Sequence, residues 1–405
     1  MLNSVTLLGS SSGKNAGDAA LIAGIIESTD SACGKNLRWE IPTIKPSYIR
    51  NNYRGDVHPV SMLPWSLSLK MLGLPTVKSM LKTDLSLVFD AILFDRSLWN
   101  PLFNYLSTID ILLPMAARKG RLTGYFNCGV GPITTKRGKE MLRKLTDTID
   151  FVTVRDEDSR AILHDIGVTN PRIAITADAA IPMAPANEER VRQILQSCNV
   201  PSDVELLGLN VSRYLASWSG TKAAALSKTE FMTAYVAGVK RFLSVNNVPV
   251  VLVCTQVDDV SLSKEIAAAL TGPGVSVSVV DNTRLNHHDI KGVLKAMALL
   301  CGMRLHATIL ASSELTPVLG LPHQPKVQHY FKSLGISERI LSFTDFSSES
   351  FSALLTRGWE ERAAQRAHLA KVIPAARERA MIPARIIAEL HHGKSLDAAW
   401  SAAVY

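Results

Sequence analysis

The sequence predicts an α/β protein built from two Rossmann-like domains that face each other across a cleft. Three observations carry this expectation. The 405 residues exceed what one hydrophobic core usually supports. Short β-branched or aliphatic runs alternate with longer segments of helical period, as parallel strands buried on both faces require. The proline-bearing segment IPMAPANEE, from Ile181 to Glu189, breaks this alternation near mid-chain. We accordingly divide the chain into an N-terminal Rossmann-like domain (1–185), a C-terminal one (186–345), and C-terminal basic helices (346–405) packing back across the domains.

The alternation can be followed in order. SVTLLG, from Ser4, is a strand and AALIAGIIEST the helix after it; FVTV, from Phe151, precedes DSRAILHDIG. The helix VRQILQSCNV opens the second domain, whose strands are ELLGLNV from Glu205, VPVVLVCT from Val248 and TPVLGL from Thr316. The final segments WEERAAQRAHLAKVI and RERAMIPARIIAELHH are basic and amphipathic, with Pro374 and Pro383 expected to interrupt them. MLPWSLSLKMLGLPTVKSMLK, from Met62, reads as a pair of N-domain helices or as an interfacial helix.

Composition narrows the function. A net charge of +8 favours acidic partners. Nucleic acid is not expected, because basic residues are dispersed without interleaved aromatics and the basic helices also carry Glu360, Glu361, Glu378 and Glu389. The five scattered cysteines, without a CxxC pair, point to a reducing compartment. No charge-free apolar run reaches the roughly 18 residues of a membrane span, and a cytoplasmic protein is expected.

In an α/β protein the loops after the strands are where chemistry is sought. GSSSGKNAGDAAL, from Gly9, fits neither the Walker nor the GxGxxG spacing, so it reads as a β-α turn or an anion cradle with Asp18 near the helix start. GYFNCGVGPIT, from Gly124, is a buried strand ending in a turn. VTVRDEDS sets Arg155 at a strand's carboxyl end, either to grip a ligand carboxylate or phosphate, or to pair internally with Asp178 or Asp156. In GMRLHATILASSE, Arg304 and His306 stand where a strand gives way to a buried helix, whose N-terminus adds positive potential. Lys326, after the turn LPHQP, supplies a further cation. His323 and His329 lack the carboxylate pairing of a metal site, and no metal is expected.

Taken in order, NAGDAAL, GVGPI, VRDEDS, LNVSRY and GMRLHATILASSELTPVLGLPHQPKV resemble the polysaccharide pyruvyl transferase family. The resemblance implies a fold similar to GT-B glycosyltransferases and transfer of the enolpyruvyl group of phosphoenolpyruvate to two hydroxyls of a saccharide, giving a pyruvate ketal without a cofactor. By position it places the family's functional arginine, histidine and lysine on Arg155, Arg304, His306 and Lys326; we expect catalysis from Arg155, Arg304 and His306, and substrate binding from Lys326 together with Asn15, Gly17, Asp18, Gly131, Asp178, Ser212 and Arg213. Asp18 or Asp178 would activate the acceptor hydroxyl. The acceptor belongs to exopolysaccharide or cell-surface polysaccharide synthesis; a lipid-linked acceptor would bring the protein to the inner face of the membrane. One stretch departs from the family: LSLVFDAILFDRSLWNPLF, from Leu85, has no glycine where members carry several. Two other readings remain: a GT-B glycosyltransferase using a nucleotide sugar, with Glu314 as a ribose or sugar ligand, and a non-catalytic peripheral membrane factor of a polysaccharide pathway.

Overall fold

The computed structural model describes residues 2–213, 226–322 and 325–405. The chain forms two compact units. The first comprises Met1–Gly13, Asp18–Met183 and Ala376–Tyr405; the second comprises Lys14–Gly17 and Ala184–Ala375. Residues 346–375 therefore group with the second unit and 376–405 with the first. No helix among the described residues is long and apolar enough to cross a membrane.

The first unit contains β1 (Ser4–Leu8), β2 (Arg38–Thr43), β3 (Asp56–Ser61), β4 (Ser68–Leu69), β5 (Leu72–Gly73), β6 (Leu85–Val88), β7 (Leu122–Cys128), β8 (Phe151–Val154) and β9 (Ile173–Ile175). Seven of these form one parallel sheet in the order β3-β2-β1-β6-β7-β8-β9. Leu8, Val88, Tyr125, Val152 and Val154 meet Leu106, Ile109, Leu113, Leu142 and Leu163 in its core. The proline-containing β2 and β3 escape a reading based on apolar runs: Pro59 is tolerated because β3 is an edge strand, and Glu40 of β2 is buried with Arg38 against it at 3.2 Å.

The second unit contributes β10 (Leu207–Asn210), β11 (Val250–Val253), β12 (Val277–Val280), β13 (Leu299–Gly302) and β14 (Val318–Gly320). They form a parallel sheet in the order β12-β11-β10-β13-β14. The strand order reverses at β10 and β13, the place in such sheets where the loops diverge and leave a crevice at the carboxyl ends. The helix Ser348–Glu360 packs on Lys228–Leu243, with Phe351 seated over Gly238.

Two local expectations are revised. Met62–Lys82 is neither a helix pair nor one interfacial helix: a 3-10 turn (Pro64–Ser66) leads into the antiparallel β4-β5 hairpin, and only Leu74–Lys82 is helical. The alternating SLSL prefers a strand period, and Pro75, favoured only in a helix's first turn, sets the helix start directly after Gly73. Pro374 does not end its helix, which runs from Arg362 to Ala380, whereas Pro383 occupies the first turn of Ile382–His391, where its missing N–H costs nothing. The first part of the glycine-free stretch after β6 directs its bulk inward, and its far end, Trp99 to Phe103, is exposed. Phe89, Ile92, Leu93 and Leu98 are buried, and the strand-like run pairs with the glycine turn after β7, Gly131 N–H donating to the Leu93 carbonyl at 2.7 Å.

Candidate functional site

At the β10/β13 reversal, Asn210 is the buried last residue of β10. Its Oδ1 accepts from the Arg304 N–H (3.1 Å) and its Nδ2 donates to the Val253 carbonyl (2.8 Å), so one side chain ties together the ends of β10, β11 and β13. Arg304 has extended backbone (φ −88°, ψ 132°) and is the N-cap of the helix Leu305–Ser312. His306 therefore lies in the first turn, 8% exposed, where the helix dipole is most positive.

The Arg304 guanidinium is held by Asp259, which is fully buried. Nη2 donates to Oδ1 at 2.9 Å and Nε donates to Oδ2. The same Oδ1 accepts from the Arg213 N–H at 3.0 Å, while the Arg213 side chain lies 3.4 Å from Asp258. One carboxylate thus fixes the loop after β10 and the arginine after β13. Buried bidentate pairs of this kind set an arginine's orientation while offsetting its charge.

The motif NAGD enters from far along the chain. The Ala16 N–H donates to the Thr255 carbonyl (2.7 Å), the Val257 N–H to the Lys14 carbonyl (3.0 Å), and Asn282 Nδ2 reaches the Lys14 and Thr255 carbonyls at 3.0 and 3.3 Å. Asn15 pairs with Gln256 and accepts from the Gly17 N–H at 2.8 Å. Gly17 then lies so close to His306 that a Cβ there would fall inside the imidazole ring's van der Waals envelope. Asn15, Gly17, Arg213, Arg304 and His306 are brought together in the second unit, with Ser212 buried beside Arg213. Lys326 is half-buried at the second position of Pro325–Ser333. Tyr214 of LNVSRY and His323 lie outside the described residues.

The remaining candidates belong to the first unit. Arg155 follows β8 and is almost fully buried; Nη1 donates to Asp178 Oδ2 at 3.2 Å and Nε stands 3.5 Å from Asp156 Oδ2. Of the two roles open in the sequence, the internal ion pair is present. Burial alone would lower the guanidinium's pKa, but Asp178, Asp156 and Asp90 hold it above its ordinary value. Gly129 is needed beside it, since a Cβ there would come within 2.8 Å of Nη2. Asp178 also accepts from the Ala180 N–H (3.0 Å), and Asp156 caps the helix Glu157–Asp165 through the Ser159 N–H at 2.7 Å. Gly131 has φ +93° and would bring a Cβ within 2.7 Å of Ile162, so its role here is conformational. Asp18 is half-buried in the first turn of Ala16–Cys33.

Sequence reasoning missed Asp259 and Asn210. The available signal was positional: CTQVDD comes directly after a buried strand, so its carboxylates start at the carboxyl edge of the sheet.

A profile of the family described as polysaccharide pyruvyl transferase matches residues 15–325, most of the chain. No curated protein matches the sequence. Solved structures share the fold at low identity. A putative UDP-N-acetylglucosamine 2-epimerase from Listeria monocytogenes is 10% identical, with 97% of each chain covered and a TM-score of 0.60. Anabaena HepE, solved in complex with UDP, is 12% identical over 97% of this chain and 100% of its own, at 0.59. The Escherichia coli ADP-heptose LPS heptosyltransferase II is 12% identical over 89% and 100%, at 0.51. These likenesses establish a GT-B-like fold.

Proposed function

Because the chain belongs to the polysaccharide pyruvyl transferase family, we propose that it transfers the enolpyruvyl group of phosphoenolpyruvate to two hydroxyls of a saccharide in exopolysaccharide or cell-surface polysaccharide synthesis. The observation that carries this reading is the assembly at the β10/β13 reversal: His306 in a helix first turn, Arg304 oriented by Asp259, and the Gly17 backbone against the imidazole. Such an arrangement suits a small, doubly anionic donor.

In the proposed reaction the methylene carbon of phosphoenolpyruvate takes a proton and C2 becomes electrophilic. A saccharide hydroxyl adds to C2 and gives up its proton. The C2–O bond to phosphate then breaks with its electron pair, and a second hydroxyl adds and is deprotonated, leaving the ketal and inorganic phosphate. His306 serves as a proton carrier or as a hydrogen-bond donor to the departing phosphate, since an imidazole titrates near neutrality. Arg304 binds phosphate and Lys326 adds charge, while Asn15, Gly17, Ser212 and Arg213 shape the pocket. Arg155 acts on the donor carboxylate only if its pairing with Asp178 opens; Asp178 or Asp18 activates the acceptor. Neither cofactor nor metal enters the scheme.

Phosphate release from phosphoenolpyruvate in the presence of candidate saccharides, with mass spectrometry of the products, tests the proposal. His306→Ala and Arg304→Ala should each lose at least about two orders of magnitude in kcat/KM. Full activity in both variants would remove these residues from the chemistry.

The UDP carried by HepE favours a second reading, glycosyl transfer from a nucleotide sugar with Glu314 on the donor. Here Glu314 pairs with the fully buried Lys291 at 3.3 Å, which weakens that role. The two readings differ in product: inorganic phosphate for one, nucleoside diphosphate for the other. A lipid-linked acceptor, and with it a position at the inner membrane face, belongs to the same proposal.

A further inference from the structure

In the β4-β5 hairpin, β4 has its polarity reversed while Leu72 of β5 packs on the core. Ser68 is buried and donates to the Ser61 carbonyl at 3.0 Å, and Met71 is fully buried, while Leu67 and Leu69 point outward at 73% and 45% exposure. A hairpin packed only for stability would turn its leucines in and its serine out. Trp65, in the turn before it, is 80% exposed, and Leu74, just after it, 47%.

A second segment joins this surface. Lys70 at the hairpin tip donates to the Leu102 carbonyl at 2.7 Å, and its ammonium lies 4.1 Å from the centre of the Tyr105 ring. The loop so pinned exposes Trp99 (70%), Leu102 (48%) and Phe103 (65%). It is the far end of the glycine-free stretch that separates this chain from its family. Both segments are anchored from below, because Met62, Met71, Leu98 and Tyr105 belong to the core of the first unit. Contiguous exposed apolar surface of this kind marks an interaction site.

The fully exposed charge along these segments is basic. Between Met62 and Phe103 the exposed charged residues are Lys78, Lys82 and Arg96; Asp84 and Asp90 are half-buried, Asp84 bonded to Ser4 and Arg121, and Asp95 is buried. Arg137, which also faces Glu140 at 3.9 Å, sets its guanidinium 5.9 Å from the centre of the Trp99 ring. Tryptophan and leucine projecting from a basic surround match the boundary between anionic headgroups and acyl chains.

We propose that this surface, formed by the hairpin Trp65–Leu74 and the loop Trp99–Phe103, docks the protein on an anionic phospholipid bilayer. It deepens the reading of a membrane-linked acceptor, but its test needs no turnover, so a failure of pyruvyl transfer leaves it intact and the reverse also holds.

The test is sedimentation of the full chain with phosphatidylcholine vesicles, with and without phosphatidylglycerol. Binding is expected only to the anionic vesicles and should weaken as salt rises. Trp65→Ser/Trp99→Ser/Phe103→Ser should lose at least about tenfold in partitioning with an unchanged melting temperature. Lys78→Glu/Lys82→Glu, which touches no packed group, should lose about fivefold per position and stands in if the triple variant misfolds. Absence of binding to anionic vesicles, equal binding to neutral ones, or indifference to both variants overturns the proposal. So does sedimentation velocity showing a dimer that the triple variant abolishes, since a second copy would then cover the surface.

Discussion

Gly17 stands with its backbone against the imidazole of His306, and no side chain fits between them. In Gly17→Ala the new methyl must push either the ring or the Lys14–Gly17 segment, whose hydrogen bonds to Thr255, Gln256 and Val257 resist movement. Overpacking of this sort costs about 1–3 kcal/mol, and a displacement near 1 Å of a catalytic group costs about a hundredfold in rate. Gly17→Ala should therefore retain its fold by circular dichroism while kcat of pyruvyl transfer falls by about two orders of magnitude. Wild-type turnover in this variant would separate His306 from the reaction. The sequence made Gly17 and His306 visible as separate motif residues, but not as neighbours, because what joins them is backbone pairing between distant segments. Asp259 was hidden for a related reason: an acidic pair after a strand acquires meaning only when Arg304 and Arg213 arrive from other loops.

Among the elements, the loop after β6 is organised by Asp95. Its Oδ2 accepts from the Thr134 N–H (2.8 Å), the Thr135 N–H (2.5 Å) and the Thr135 hydroxyl (2.7 Å), clamping this loop to the start of the helix Lys136–Thr148. Burial pushes the carboxyl upward, but the bonds from Thr135 and Thr134 outweigh it and hold the pKa below its ordinary value. A depressed carboxyl stabilises the fold fully above its unfolded pKa, about 3.9, and the contribution disappears as pH falls through the lower folded value. Asp95→Ala should thus cost about 1–3 kcal/mol at neutral pH, and denaturant midpoints of variant and wild type should converge in strong acid. A constant gap across that range would mean that the carboxylate's charge is not what holds the turn. The strands legible from sequence, such as FVTV, VVLV and VTLL, are those buried on both faces. The hairpin was not, because Leu67 and Leu69 lie on its outer side and read as part of a helix pair or an interfacial helix.

For the whole molecule the fold alone does not select a donor, because the GT-B-like fold is shared with a protein solved in complex with UDP and with an ADP-heptose heptosyltransferase. Selection rests on charge and on the chemistry of the donor. A net charge of +8 and an arginine beside a helix N-terminus attract either phosphoenolpyruvate or a nucleotide sugar, but only the smaller donor brings a carboxylate and a phosphate on one short skeleton. A ligand that binds the folded state alone stabilises it by mass action, about 2.7 kcal/mol at a hundred times its dissociation constant. Phosphoenolpyruvate should accordingly raise the melting temperature by a few degrees, while UDP-glucose and UDP-N-acetylglucosamine leave it unchanged. Arg304→Ala should abolish the shift, whereas Lys78→Glu/Lys82→Glu, altering charge on a helix of the first unit, should preserve it. The reverse pattern, a shift with a UDP-sugar and none with phosphoenolpyruvate, would turn the same geometry into a glycosyltransferase site.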